Sequence, residues 1–168
     1  WGGTKMALSE AMTDMVQELL HVTAQGDFLE PEMQAAQPML AAQARLSRLP
    51  RPGVLLIERF ESAEGHHLFV YPFAGRNVHM GLAQLLAWRL SRVQPNTFSL
   101  SINDFGLELL AVQPVDTTPL LDGSVFSIRD LMADVLQSLN SGDLAQRRFR
   151  EIARVLRPGG SIALVWNT

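Results

Sequence analysis

Two pairs of β-rich runs, each joined by only four residues, constrain this chain more than any other feature. Val54 to Glu61 and His66 to Pro72 flank Ser62-Ala63-Glu64-Gly65. That loop length is common in hairpins, so the two runs are expected to pair antiparallel. Phe98, Leu100 and Ile102 alternate with Ser99, Ser101 and Asn103, the period-two signature of a strand with one wet face. Asn103-Asp104-Phe105-Gly106 then turns the chain into another strand, Leu107 to Val112.

Helical periodicity surrounds these hairpins. Leu8, Met12, Met15, Val16, Leu19 and Val22 recur at three- and four-residue spacing and mark a helix that Gly26 can terminate. Residues 31–49 are rich in Ala, Gln and Leu, but Pro38 lacks an N–H, which predicts a break and a restart with Pro38 in the first turn. Val78, Leu82, Leu85, Leu86, Leu90 and Val93 form a further apolar stripe, stopped by Pro95. Ser127-Ile128-Arg129-Asp130 has the spacing of a capping box, opening a helix through Ile128, Leu131, Met132, Val135, Leu136 and Leu139. Asn140-Ser141-Gly142 breaks it, and Asp143 to Leu156 is expected to be the last helix. The order predicts an α+β fold in which antiparallel β-hairpins pack with several amphipathic helices.

The chain has 168 residues, 47% of them apolar, and never strings together the roughly 18 apolar residues that a membrane-spanning helix needs. Disorder and a membrane span are both excluded, and the length suits one core. The absence of cysteine removes disulfide frameworks, thiolate zinc sites and cysteine nucleophiles, and fits a reducing, cytoplasmic location. The net charge of −3 is unevenly spread. Residues 141–168 carry Arg147, Arg148, Arg150, Arg154 and Arg157 against only Asp143 and Glu151. The start, Trp1-Gly2-Gly3-Thr4-Lys5, is neither an initiator methionine nor a signal peptide and is expected to lie inside a longer protein.

No phosphate loop, dinucleotide glycine turn, H-E-x-x-H helix or G-x-S-x-G elbow occurs. His66-His67 invites a metal reading, but adjacent strand residues point to opposite faces, so one inward hydrogen-bonded ring and one surface ring are expected. His79 and His21 sit in helical stretches, where a core or helix-face role is expected. The run Tyr71-Pro72-Phe73-Ala74-Gly75-Arg76-Asn77 leads from a strand into a helix start, where unpaired N–H groups and the dipole favour an anion. Arg76 would add a fork donor for phosphate; the competing reading pairs it with a neighbouring carboxylate. Arg147, Arg150, Arg154 and Arg157 fall at three- and four-residue spacing and line one side of a helix, as suits either a nucleic-acid backbone or a solvated face. Trp1 offers an aromatic platform for a single-strand base, and Trp88, off the main stripe, is expected to pack on another element.

From Glu64-Gly65-His66-His67-Leu68-Phe69-Val70-Tyr71-Pro72-Phe73-Ala74-Gly75-Arg76 onward, the chain closely resembles the ligase-associated DEXH-box helicases of the large-helicase-related family. The resemblance continues through Gly81-Leu82-Ala83, Ala87-Trp88-Arg89-Leu90, Gln94-Pro95-Asn96-Thr97-Phe98-Ser99, Asn103-Asp104-Phe105-Gly106 and Arg147-Arg148-Phe149-Arg150-Glu151-Ile152-Ala153-Arg154. Trp1-Gly2-Gly3 is similar to the segment just upstream, so about residues 1–154 are covered, as a partial DEAD/H-associated accessory domain. The resemblance implies a piece of an ATP-dependent 3′-to-5′ DNA repair helicase, with ATP and Mg held by two motor domains that these residues do not include. It also implies partners: single-stranded DNA, the motor and winged-helix domains, and possible DNA ligase and nuclease proteins. For the site residues it strengthens Trp1 as a base-stacking group and Arg76 as a phosphate contact, beside Arg147, Arg150 and Arg154.

Residues 155–168 depart from that pattern. Arg157-Pro158-Gly159-Gly160 leading into Ser161-Ile162-Ala163-Leu164-Val165-Trp166 resembles the late turn and strand of class I methyltransferases, whose glycine loop has no counterpart here. Three readings follow. The first is a non-catalytic single-strand DNA-binding module, the second a docking module that contacts the motor domains or a repair partner without touching DNA, and the third a truncated methyltransferase.

Overall fold

The computed structural model describes residues 6–26 and 30–138 and the backbone of 161–166. Both hairpins form. Strands β1 (Val54–Ser62) and β2 (Gly65–Tyr71) pair antiparallel from Leu56 opposite Tyr71 to Ser62 opposite Gly65, which shortens the turn to Ala63-Glu64. Strands β3 (Phe98–Ile102) and β4 (Leu107–Ala111) make the second hairpin, and β4 adds antiparallel to β2. The tail contributes β5 (Ser161–Trp166), which runs parallel to β1 from Val54 opposite Ser161 to Arg59 opposite Trp166. The sheet order is β3-β4-β2-β1-β5. The α+β class with antiparallel hairpins therefore stands, with one parallel strand added at an edge. Crowding fixes Gly65, because a Cβ there would come 2.4 Å from the Ala111 carbonyl oxygen, in a backbone at φ +138°.

The helices are α1 (Glu10–Ala24), α2 (Pro31–Leu46), α3 (Arg76–Val93), the short α4 (Thr118–Leu121) and α5 (Leu131–Ser138), with a 3-10 turn at Ser124–Phe126. The core lies between one face of the sheet and α3. Ile57, Leu68, Val70, Leu107, Leu109 and Ala111 project from the strands onto Leu82, Leu85, Leu86 and Leu90. Leu131 and Val135 of α5 close the layer with Leu120, Val125 and Phe126. Burying each such side chain is worth about 1.5–3 kcal/mol, so this cluster is the main source of stability. The predicted α3 stripe is the buried one except for Val93, which is 55% exposed.

Two local expectations need correction. Residues 31–46 form one continuous helix with Pro38 inside it, rather than a broken helix restarting at Pro38. Pro38 and Gln34 both lie on the exposed side, so water can take the carbonyl that the missing N–H would have used, and no buried acceptor is orphaned. The capping box at Ser127 does not form either. The Ser127 hydroxyl accepts the Arg129 N–H instead, Asp130 adopts φ +56°, and the helix begins at Leu131 with Ile128 54% exposed. A short local hydroxyl-to-backbone bond competed with the helix start and won. In α1, Gly26 (φ +98°) follows the end, as the sequence implies, and Ser9 caps the N-terminus, although Met12 and Met15 remain more than half exposed. The predicted helix from Asp143 to Leu156 lies outside the described residues.

Candidate nucleic-acid interface

The two runs that turn the chain at the ends of β2 and β3 meet at the start of α3. Phe73, at φ +54°, donates its N–H to the Phe105 carbonyl at 3.1 Å, and the two rings sit 5.7 Å apart. Asn103 accepts the Phe105 and Gly106 N–H groups at 2.8 Å each, which closes the turn. His79, fully buried on α3, donates from Nδ1 to the Asn103 carbonyl at 2.7 Å and accepts the Ala74 N–H on Nε2 at 3.0 Å. Burial is the largest influence on this imidazole and lowers its pKa, in keeping with a neutral ring that both donates and accepts. The expectation of a core role for His79 holds.

At the same helix start stands Asp104. Its Oδ1 accepts the backbone N–H of Arg76 at 3.2 Å, the backbone N–H of Leu8 at 3.1 Å and the Arg76 Nε–H at 2.9 Å, while Oδ2 accepts Arg76 Nη2. The carboxyl is 6% exposed, and the Arg76 hydrogen bond is the chief reason its pKa is held down at about 2. A helix start that can attract an anion therefore already has one, supplied from within the chain. Arg76 is placed where the anion reading put it, with its fork turned onto Asp104 as the competing reading had it.

The other face of the sheet carries polar and aromatic groups. His67, 6% exposed, takes the Ser62 hydroxyl on Nε2 at 2.6 Å and presents Nδ1 to Glu108 at 2.6 Å, clasping β1, β2 and β4 together. The order Ser62, His67, Glu108 is that of a catalytic triad, but Ser62 lies beside the hairpin turn and its oxygen also accepts the Glu64 N–H. The group thus closes the turn. His66 points the opposite way, half-buried rather than at the surface, 3.8 Å from Glu61. Among the described residues no three His, Asp or Glu side chains are placed to hold a metal ion. Phe60, His67, Phe69 and Tyr71 form a row of nearly parallel rings at centroid spacings of 4.3 to 6.2 Å. Glu58, beside that row, accepts from Gln43 at 3.2 Å and from the Ser47 hydroxyl, which ties α2 to the sheet.

On α3, Trp88 and Arg92 stand one turn apart with the guanidinium 4.8 Å over the indole, close enough for a cation–π contact. Trp88, half-buried, lines a cleft together with Ser124 and Val125 of the 3-10 turn. Arg89, between them in sequence, points inward. Its Nε and Nη2 reach Asp134 at 2.9 and 2.7 Å, and Nη1 donates to the Val125 and Ser127 carbonyls at 2.7 and 2.8 Å.

Of the sequence-predicted site residues, Arg76 is described; Trp1, Arg147, Arg150 and Arg154 lie outside the described residues. Sequence reasoning left Asp104 unassigned and gave Arg89 no role. The asparagine-aspartate turn was visible, but a partner 28 residues away carries no periodic signal. The four-residue spacing of Trp88 and Arg92 was the signal available for their contact. Among the described residues no helix is long and apolar enough to cross a membrane.

A family model described as DEAD/H associated matches residues 49–156. The chain is 24% identical over 132 residues to the ATP-dependent helicase Lhr-Core of Methanocaldococcus jannaschii, covering 76% of this chain and 15% of that protein. It is 25% identical over 111 residues to the ATP-dependent helicase Lhr-Core protein 2 of Thermococcus barophilus, covering 66% and 13% respectively. The solved structure of the Mycobacterium smegmatis helicase Lhr, bound to ssDNA and AMP-PNP, shares the fold at a TM-score of 0.55 and 14% identity, over 93% of this chain and 25% of that one. The chain thus spans about one seventh of the length of the curated relatives it matches.

Proposed function

The chain belongs to the DEAD/H-associated family, and from that membership we propose that it is an accessory module of an Lhr-type DNA repair helicase that engages single-stranded DNA while the motor domains hydrolyse ATP. The observation that carries this reading is the likeness, over 93% of the chain, to a helicase whose structure was solved with ssDNA bound. The module has no nucleotide-binding loop of its own, so its part is contact and guidance rather than hydrolysis. The test is anisotropy of a labelled oligo(dT) titrated with the folded chain at several salt concentrations. Binding that weakens as salt rises is expected, because each neutralised phosphate releases counterions. A folded chain that leaves the oligonucleotide free at low salt refutes the reading.

A second reading, docking onto the motor domains, is favoured by the apolar side chains that α1 and α2 leave in water. Met12 and Met15 on α1 and Met39 and Leu46 on α2 are 53 to 68% exposed, and exposed side chains of this kind serve contact surfaces. Co-purification with the motor domains of an Lhr-type helicase, lost when Met12 and Met15 become Gln, is the expected sign.

A further inference from the structure

We propose that the cleft between α3 and the 124–130 loop is a subsite for one nucleotide of single-stranded DNA, with a base stacked on the Trp88–Arg92 pair and a phosphate held by Arg129. The proposal rests on the single-strand reading above and deepens it by naming residues to which the sequence analysis gives no part in contacting DNA.

The cleft has a volume of about 330 Å³ and is lined by Trp88, Arg92, Val93, Pro119, Ser127 and Arg129, among others. That is the low end of ligand pockets, roughly 300–1,000 Å³, and suits one base with its sugar and phosphate rather than a duplex. Its chemistry is that of single-strand recognition: an indole, guanidinium groups and small apolar walls. Arg92 lies over one face of Trp88 and is itself exposed, so its outer surface extends the stacking platform. Neither Arg92 nor Arg129 forms an ion pair among the described residues, whereas Arg89 and Asp134 neutralise each other beneath them. Asp130 is the other carboxylate of the lining and stands at the exposed rim.

The walls are fixed relative to each other before any ligand arrives. Arg89, 9% exposed, reaches from α3 to the Val125 and Ser127 carbonyls and to Asp134 of α5, which holds the loop against the helix that carries Trp88 and Arg92. Arg129 follows directly, its N–H bonded to the Ser127 hydroxyl, and Asp130 is held at φ +56° as the chain enters α5. The result is a preformed cleft with a stacking wall on α3 and a cationic wall on the loop.

The test uses the full chain with Trp1 and Trp166 changed to Phe, so that Trp88 alone reports, alongside Arg92→Gln and Arg129→Gln variants whose folding is checked by circular dichroism. Adding oligo(dT) is expected to quench Trp88 saturably. Arg129→Gln is expected to weaken binding several-fold and to reduce the slope of log affinity against log salt by about 0.7, the value for one phosphate contact on a single strand. Arg92→Gln is expected to diminish the quench. If anisotropy shows the oligonucleotide bound while Trp88 is silent and both variants keep the parent's affinity and slope, the subsite is refuted and the single-strand reading survives. If the unsubstituted chain, with Trp1 in place, leaves the oligonucleotide free in the anisotropy assay at low salt, both fall.

Discussion

The Asp104–Arg76 pair makes a prediction whose size follows from its geometry. A carboxyl held at about 2 instead of its ordinary 3.8 is stabilised, when charged, by roughly 2 kcal/mol, at ~1.36 kcal/mol per tenfold in the acid constant and less the screening that water gives the half-exposed Arg76. Replacing Asp104 with Asn keeps an oxygen for the Leu8 and Arg76 N–H groups and removes the charge that faces the guanidinium. Because the folded pKa is depressed, the stabilisation is present in full above the unfolded value and is lost as pH falls from about 4 to about 2. Urea unfolding at pH 7 should show Asp104→Asn less stable by about 2 kcal/mol, a fall in Tm of roughly 4–8 °C for a chain of this size. The difference between the two proteins should shrink through the window from pH 4 to pH 2. Asp116 and Asp122 are also held low, by Thr118 and Ser124 respectively, but both proteins share them and they cancel in the difference. A loss below about 0.5 kcal/mol at pH 7, the size of an ordinary surface change, together with parallel pH profiles, would sink the claim that this carboxylate is the internal anion of α3.

Two further predictions concern groups away from that helix start. Arg89→Met should destabilise the chain by about 3–5 kcal/mol, since it strands the Asp134 carboxylate and two carbonyls, and Arg89→Lys should recover little because an ammonium cannot reproduce the fork; chemical denaturation of both variants decides it. Tyr71 is the only tyrosine, so an ultraviolet titration reads it alone. Burial first, then the charge and hydrogen bond of Glu58, push its phenol well above the ordinary 10. The folded chain should therefore show no phenolate at pH 10 to 11, and should lose stability as pH rises beyond the unfolded value; ionisation near pH 10 in the folded state would contradict the Glu58 contact.

What could be read in the sequence divides by the range of the forces involved. Both hairpins were legible because alternation and short loops are local, and the α3 stripe was legible because a 3.6-residue period needs only one helix. Pro38 misled because the cost of a proline depends on whether the carbonyl four residues earlier is buried, which only the fold decides. Ser127 misled because one hydroxyl had two local partners open to it and spacing could not rank them. For Arg76 both readings stood side by side, and the choice depended on Asp104, brought alongside only when β3 turns back into β4. The resemblance supplied both segments as separate runs; their contact is a tertiary fact.

Partner use then sorts the arginines. Arg76 and Arg89 are directed at Asp104 and Asp134 inside the chain, where they fix the start of α3 and the loop before α5. They set geometry, and their charges are already matched. A chain with a net charge of −3, if it meets a phosphate backbone, must do so through arginines outside such pairs, because the summed field is unhelpful and only a local cationic patch can offset it. Arg92 and Arg129 at the cleft meet that condition, and the run from Arg147 to Arg154 is the other concentration of positive charge in the sequence. The two differ in what they can do. A stripe of arginines alone neutralises phosphate and confers salt dependence, whereas the cleft adds an indole and so can tell an unstacked base from a paired one. Removing the run should therefore reduce affinity for single and double strands alike, while Arg92→Gln should cost affinity for the single strand specifically; equal losses on both substrates from Arg92→Gln would reduce the cleft to a simple charge.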